Sequence, residues 1–364
     1  MSKNDYMSDQ TLVVFCCSLS SGGAERVLSI LSTPFADHYR RVVYLMWNDI
    51  PVFYKIDPRV EIVSVARECH RRNVVSRLWW LRRFVTRTKP GVVVSFSAPY
   101  NMIALFALLG SGTKVVAAER VDPRSFRWGK PLEWARKLLY RSATGILAQT
   151  EHSKAYFKGA LLRKTSVIYN PVTMSRSDVG RGLRTEKKPI IVSAARLVPQ
   201  KRQTLLIDAF ARFSKNHPEY SLVIYGDGAE RDNLLRYAQE RGVAAKFSLP
   251  GSVKDIWDRI APARMFVITS LFEGMSNSMI EAMCLGLPCI STKVSGATDL
   301  IVDGKNGYLI EIDDLEALCQ KMELLHNEAH CHAIGSEAAK LYDELRVENI
   351  SRLWIEYIDN LIAK

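Results

Sequence analysis

Short runs rich in Val and Ile alternate with helical patterns along almost the whole chain, and this alternation limits the fold more than any other feature. In the first half the runs fall at 12–17, 42–46, 60–65, 92–96, 114–118, 145–149 and 166–169; in the second, at 190–194, 222–225, 245–249, 265–269 and 288–292. They are largely apolar, which predicts strands buried on both faces, and the helices between them predict parallel, doubly wound sheets. The series breaks once. Residues 173–188 carry Ser, Gly, Arg and Lys without periodicity and read as a linker. The expected architecture is therefore α/β, two facing Rossmann-like domains at 1–172 and 189–345, with ligands held at the carboxyl ends of the strands. At the end of the chain Ile350, Leu353, Trp354, Tyr357, Ile358 and Leu361 recur every three or four residues. This predicts a final helix within 346–364 that crosses back over the domain boundary.

The chain has 364 residues, 48% of them hydrophobic, enough for two cores and too many for a disordered or fibrous protein. Its net charge of +12 is unevenly spread. Residues 1–178 hold 27 Lys and Arg against 13 Asp and Glu, while 179–364 hold 23 against 25. The amino-terminal half is thus the one expected to meet a polyanion. Charge alone also suggests nucleic acid, but that reading leaves the acidic motif described below without a purpose. The seven cysteines form no CxxC pair and several sit in apolar runs, so they are expected to be reduced and structural in a cytosolic chain. No apolar stretch approaches the roughly 20 residues that span a bilayer, so any membrane contact is expected to be peripheral.

Three stretches carry chemistry. After the first strand, Gly22-Gly23-Ala24-Glu25-Arg26 opens a helix, where free backbone amides and the helix dipole favour an anion. Opening the second domain, Arg196 and Lys201 lie beyond a strand tip, a bidentate fork and a point charge suited to a diphosphate. The third stretch is Phe272-Glu273-Gly274-Met275-Ser276-Asn277-Ser278-Met279-Ile280-Glu281. Glu281 shares a helix side with Asn277 and Ser278, and its carboxylate suits a ribose diol. Gly226-Asp227-Gly228 mimics a dinucleotide fingerprint, but Arg231 replaces the third glycine. There is no DxD triplet and the histidines do not cluster with acids along the sequence, so no catalytic metal and no cofactor are expected.

Glu273 and Glu281, eight positions apart with a Gly-Leu-Pro exit, resemble the paired-glutamate signature of retaining glycosyltransferase family 4, the GT-B fold. The first glycine turn, the Arg196 and Lys201 pair and Gly226-Asp227-Gly228 occupy corresponding places, so the resemblance spans nearly the whole chain. Within the family it resembles bacterial enzymes that extend polyprenyl-diphosphate-linked glycans, including the processive N-acetylgalactosamine transferase of bacterial N-glycosylation. The resemblance implies that Arg196 and Lys201 bind the diphosphate of a UDP-sugar and Glu281 its ribose. It assigns the donor sugar and its phosphate to Glu273 with the amides of Gly274, Met275 and Ser276. Gly226 joins the donor site, and Gly22 and Gly23 close on the diphosphate from the other domain. Many members carry a His near the end of the fifth strand, where this chain reads Glu119-Arg120-Val121-Asp122-Pro123-Arg124. That departure leaves the donor sugar open and puts Glu119 and Arg120 on the acceptor side.

A helix is expected from Arg72 to Thr88. At 100° per residue Val74, Leu78, Leu81 and Val85 form a core stripe, and Arg72, Trp79, Trp80, Arg83 and Arg87 fall opposite. Tryptophans among arginines suit an anionic membrane surface, and in the relatives a basic helix of this domain contacts the lipid diphosphate. The expected activity is transfer of a hexose or N-acetylhexosamine from a nucleotide sugar to a lipid-linked saccharide at the inner face of the cytoplasmic membrane. A non-hydrolysing nucleotide-sugar epimerase is the alternative of the same architecture, and it has no need of such a helix.

Overall fold

The computed structural model describes residues 10–20, 22–69, 73–125, 128–253 and 256–363. It contains two compact units, one formed by Met1–Pro171 with Val347–Lys364 and the other by Val172–Arg346. Each is built on one wholly parallel sheet.

The first sheet comprises β1 (Thr11–Cys16), β2 (Arg41–Met46), β3 (Glu61–Ser64), β4 (Val92–Phe96), β5 (Val115–Ala118), β6 (Gly145–Ala148) and β7 (Thr165–Val167), in the order β3-β2-β1-β4-β5-β6-β7. Its central strands are apolar on both faces because helices cover both; Leu12, Val13, Val14, Phe15 and Val92 are fully buried. The strand order reverses between β1 and β4. In such sheets the crevice at the reversal, beyond the strand tips, is where ligands bind.

The second sheet comprises β8 (Ile190–Ala194), β9 (Ser221–Tyr225), β10 (Phe247–Gly251), β11 (Met265–Ile268), β12 (Cys289–Thr292) and β13 (Tyr308–Ile310), in the order β10-β9-β8-β11-β12-β13. It holds one strand more than the five expected. β13 escapes a sequence reading because it is three residues long and follows Gly304 and Gly307, too short to show a period. Here the reversal lies between β8 and β11.

The stretch read as a linker belongs to the second unit and is partly ordered by it. A helical turn covers Arg181–Arg184, and the amides of Gly180 and Gly182 donate to the carbonyls of Cys284 and Leu285, at 2.9 and 2.7 Å. The final helix, Val347–Ile362, returns to the first unit and packs on the Gly23–His38 helix and β4. Trp354 is its anchor. Its indole stacks on Phe96 at 5.7 Å and meets Phe35 edge-on at 6.4 Å, while Leu353, on the far side, is exposed. All seven cysteines are free thiols, five of them buried. Among the described residues no helix is long and apolar enough to cross a membrane.

Candidate active site

The turns that follow β8 and β11 meet at the reversal of the second sheet, and hydrogen bonds sew them together. Leu271 N–H donates to Gln200 O at 2.8 Å and Gln200 Nε2 returns a bond to Phe272 O at 2.6 Å. Thr269 Oγ1, at the end of β11, donates to both Lys201 O and Arg202 O at 3.0 Å. This stitching brings together two residues that stand far apart in sequence. Lys201 Nζ is ion-paired with Glu273 Oε1, and both side chains are nearly buried, at 13% and 12% exposure. Ser270 Oγ donates to the same oxygen at 2.8 Å. Oε2 of Glu273 has no hydrogen bond among the described residues.

Arg196, on the β8 turn, is exposed, and its guanidinium has no partner among the described residues. The backbone around it is rigid. Gln203 Nε2 holds Arg196 O at 2.9 Å, and the amides of Ala195 and Leu197 donate to Tyr225 O and Asp227 O, both at 2.9 Å. Gly226 and Gly228 make this docking possible. Both have positive φ, 138° and 159°, and a Cβ on either would lie 2.0 Å from Ala195 O or 2.2 Å from Leu197 O. Gly226 therefore serves by letting the neighbouring turn approach, which a side chain would prevent.

The Asn277–Cys284 helix starts from Ser276, whose Oγ accepts from Met279 N–H at 3.4 Å. Ser278 Oγ ties it to the tip of β8 through Ala194 O, at 2.7 Å. Glu281 lies on this helix and is buried, at 4% exposure, as are Met279, Ile280, Ala282, Met283 and Cys284. Its charge adds to the burial that pushes the Cys284 thiol up to about 12. Gly274 and Met275 are buried in the approach to the helix. Of the donor-side residues named from sequence, those after residue 172 thus lie around one strand reversal in the second unit, whereas Gly22 and Gly23 belong to the first.

In the first unit the picture is less simple. Gly22 caps the Gly23–His38 helix, but a Cβ on it would lie 2.0 Å from Glu25 Oε2, so that carboxylate folds back over the turn expected to take an anion. Glu119, expected on the acceptor side, does not reach a surface: it is 1% exposed, and Tyr140 Oη donates to its Oε1. Arg120 is also buried, with Nη2 donating to Asn170 Oδ1 at 2.7 Å and its guanidinium 5.1 Å above the Phe96 ring. Both stand where many family members carry a His, and here Glu119 N–H continues the sheet ladder to Leu147 O at 2.8 Å, which draws the residue into the interior.

The basic helix is Val74–Thr88, capped by Asn73, whose side chain accepts from Ser76 N–H at 2.8 Å; Arg72 lies outside the described residues. Leu81 and Val85 are buried and Trp79 is 70% exposed, as the stripes predict. Two positions are corrected. Val74, expected in the core, is 61% exposed, because the helix meets the core only from Leu78 onward. Trp80, expected outside, is half-buried against the core and stacked on Phe84 at 5.1 Å. Trp80 and Phe84, with Arg41, Arg83, Arg87 and Thr88, line a groove of about 550 Å³. Arg41 is paired with Glu61 at 2.7 Å, whereas Arg83 and Arg87 are exposed and have no acidic partner among the described residues.

Residues 176–341 match the family of glycosyl transferases group 1 and residues 21–173 match a glycosyl transferase 4-like domain. The chain belongs to the glycosyltransferases. Two Campylobacter jejuni relatives are similar over nearly their whole length. One, the GalNAc-alpha-(1->4)-GalNAc-alpha-(1->3)-diNAcBac-PP-undecaprenol alpha-1,4-N-acetyl-D-galactosaminyltransferase, is 25% identical over 94% of this chain and 96% of its own. The other, the N-acetylgalactosamine-N,N'-diacetylbacillosaminyl-diphospho-undecaprenol 4-alpha-N-acetylgalactosaminyltransferase, is 28% identical over 93% and 97%. Among solved structures, Anabaena HepE in complex with UDP and glucose superposes with a TM-score of 0.79 at 22% identity, covering 96% of this chain and 99% of that one. TarM superposes at 0.77 and 15% identity over 98% and 99%. These likenesses establish the GT-B fold.

This glycosyltransferase holds a buried titratable group, Glu119, with a measurable signature. Burial raises the Glu119 carboxyl from 4.5 to about 7, against the opposing pull of the Tyr140 hydroxyl and the Arg136 charge. A carboxyl with a raised folded pKa holds its proton more tightly when folded. Its favourable contribution is complete below about pH 4.5 and is lost as pH rises through 7. Glu119→Gln keeps an acceptor for Tyr140 and removes the titration. Relative to the parent, the variant should gain about 2–3 kcal/mol between pH 5 and pH 8, read by urea unfolding. A stability difference that does not change with pH would show that Glu119 does not titrate in this window.

Proposed function

We propose that this glycosyltransferase retains anomeric configuration as it moves a hexose or N-acetylhexosamine from a UDP-sugar to a polyprenyl-diphosphate-linked glycan, working peripherally at the inner face of the cytoplasmic membrane. The observation that carries the reading is the Lys201 and Glu273 pair beside the unpaired Arg196 at the strand reversal. Lys201 has three N–H donors, so it can keep Glu273 and still reach a phosphate oxygen. Arg196 adds a bidentate fork at the rim, and the two cations take up the charge that grows on the departing diphosphate without a divalent metal. Glu273 Oε2 accepts from a hydroxyl of the donor sugar, and Glu281 accepts from the ribose. In the reaction the acceptor hydroxyl oxygen bonds to the anomeric carbon as the bond to the diphosphate oxygen breaks on the same face. The hydroxyl proton passes to that departing oxygen, so no protein nucleophile is required. The activities for which the two Campylobacter jejuni relatives are named and the UDP of the HepE complex support this choice of donor and acceptor.

The acceptor is assigned to the first unit. Arg83 and Arg87 offer unpaired charge on the groove that Trp80 and Phe84 also line, while Trp79, Val74 and Val75 form an exposed apolar end of the same helix. Indoles favour the membrane interface, and each basic side chain near an anionic leaflet contributes about 1 kcal/mol. Replacing Arg83 and Arg87 together by Ala should weaken sedimentation with anionic liposomes by about 30-fold and slow transfer to a diphospholipid acceptor, with UDP affinity unchanged. If the double variant sediments and transfers like the parent, the acceptor is held elsewhere.

A further inference from the structure

The histidines that do not cluster with acids in the sequence do so in the fold, at the end of the second unit away from the donor site. The Gln203–Asn216 helix ends in His217 and the Leu315–His326 helix ends in His326, so two helix carboxyl ends converge there. Their carbonyls make the region favourable for a cation, and Glu219 and Glu323 add two carboxylates. The two imidazole rings lie 4.2 Å apart, and one ligand atom from each of His217, Glu219 and His326 lies within 4.8 Å of the others.

The outer contacts orient these rings. His217 Nε2 is 2.8 Å from Glu323 Oε2, and its ring is stacked on Phe213 at 4.3 Å. With the proton on Nε2 donated to Glu323, the lone pair sits on Nδ1, which is 4.0 Å from Glu219 Oε1. His326 Nδ1 is 3.2 Å from Tyr220 Oη, and donation to that oxygen leaves Nε2 as the ligand atom. An imidazole that donates its second N–H to a carboxylate or hydroxyl is the usual arrangement around a protein-bound transition metal.

We propose that His217, Glu219 and His326 bind one divalent transition-metal ion of the zinc class, with Glu323 and Tyr220 fixing the imidazoles and a fourth position open to water. Two imidazoles and one carboxylate favour zinc or cobalt over magnesium, which prefers oxygen ligands. The ion is structural. The Gln203–Asn216 helix has 14 residues, about 21 Å, and Lys201 precedes its other end, so the ion takes no part in transfer. Its effect is to clamp that helix, which carries the Lys201 turn at its start, to the Leu315–His326 helix.

The test uses the full chain, freed of any affinity tag and stripped of metal, titrated with Zn²⁺ and followed by calorimetry and thermal unfolding. The expected result is one equivalent bound and a melting temperature raised by about 5 °C or more at a hundredfold excess over Kd, with no response to Mg²⁺. His217→Gln and His326→Gln should each abolish the response, and Glu323→Gln should weaken binding about 10–100-fold. His330→Ala and His332→Ala should leave it intact. Circular dichroism in the absence of metal checks that each variant is folded. Absence of a Zn²⁺ response in the parent, or one that survives His217→Gln and His326→Gln in folded protein, would overturn the site. Neither outcome bears on sugar transfer, which the donor-side variants test separately.

Discussion

Lys201→Ala should lower the turnover of sugar transfer by about a hundredfold to a thousandfold while leaving uridine binding almost unchanged. The size follows from what the ammonium touches. It is nearly buried, it is paired with Glu273, and it is assigned to charge that appears only as the diphosphate leaves, so its contribution falls on the transition state. Removing it also leaves the Glu273 carboxylate, 12% exposed, without its cation. Arg196→Ala should act in the same direction with a smaller loss, because the exposed guanidinium is screened by water. Steady-state kinetics against uridine and UDP titrations separates these effects. Equal losses in uridine affinity and turnover would place Lys201 in ground-state binding instead.

Glu281→Ala should weaken UDP binding by about 1–3 kcal/mol, roughly 5- to 150-fold. The carboxylate is held among buried apolar neighbours on a helix pinned to β8 by Ser278, so it is preorganised and little is lost on ordering it. On the proposed assignment, truncation removes the carboxylate that accepts from the ribose hydroxyls. Because the helix is buried, the comparison requires a variant that unfolds cooperatively and a measurement by calorimetry. Unchanged UDP affinity in such a variant would make Glu281 a structural residue.

The features legible in the sequence were those with a local period. Largely apolar runs marked every strand of the first sheet and five of the six of the second, and Arg196 and Lys201 follow the run at 190–194. What was not legible depended on tertiary packing. The helical wheel put Val74 in the core and Trp80 outside, but where a helix first meets the sheet has no signature in its own residues. Glu119 follows β5, and its burial depends on the backbone bond to Leu147 and on Tyr140, both distant in sequence. Lys201 and Glu273 could be read as neighbours only through the family resemblance, since the pair depends on two turns meeting at the β8 and β11 reversal. His217 and His326 are on separate helices, and nothing in the spacing announces that their ends converge.

The most direct test of the account is the anomeric proton of the transferred sugar, followed by NMR as UDP-hexose or UDP-N-acetylhexosamine reacts with a polyprenyl-diphosphate-linked glycan. UDP is expected to be released only with acceptor present, in step with a new glycosidic signal that keeps the donor's anomeric configuration. A product of inverted configuration, no glycosidic signal with any of these donors, or acceptor-independent appearance of a C2-epimerised nucleotide sugar would contradict it.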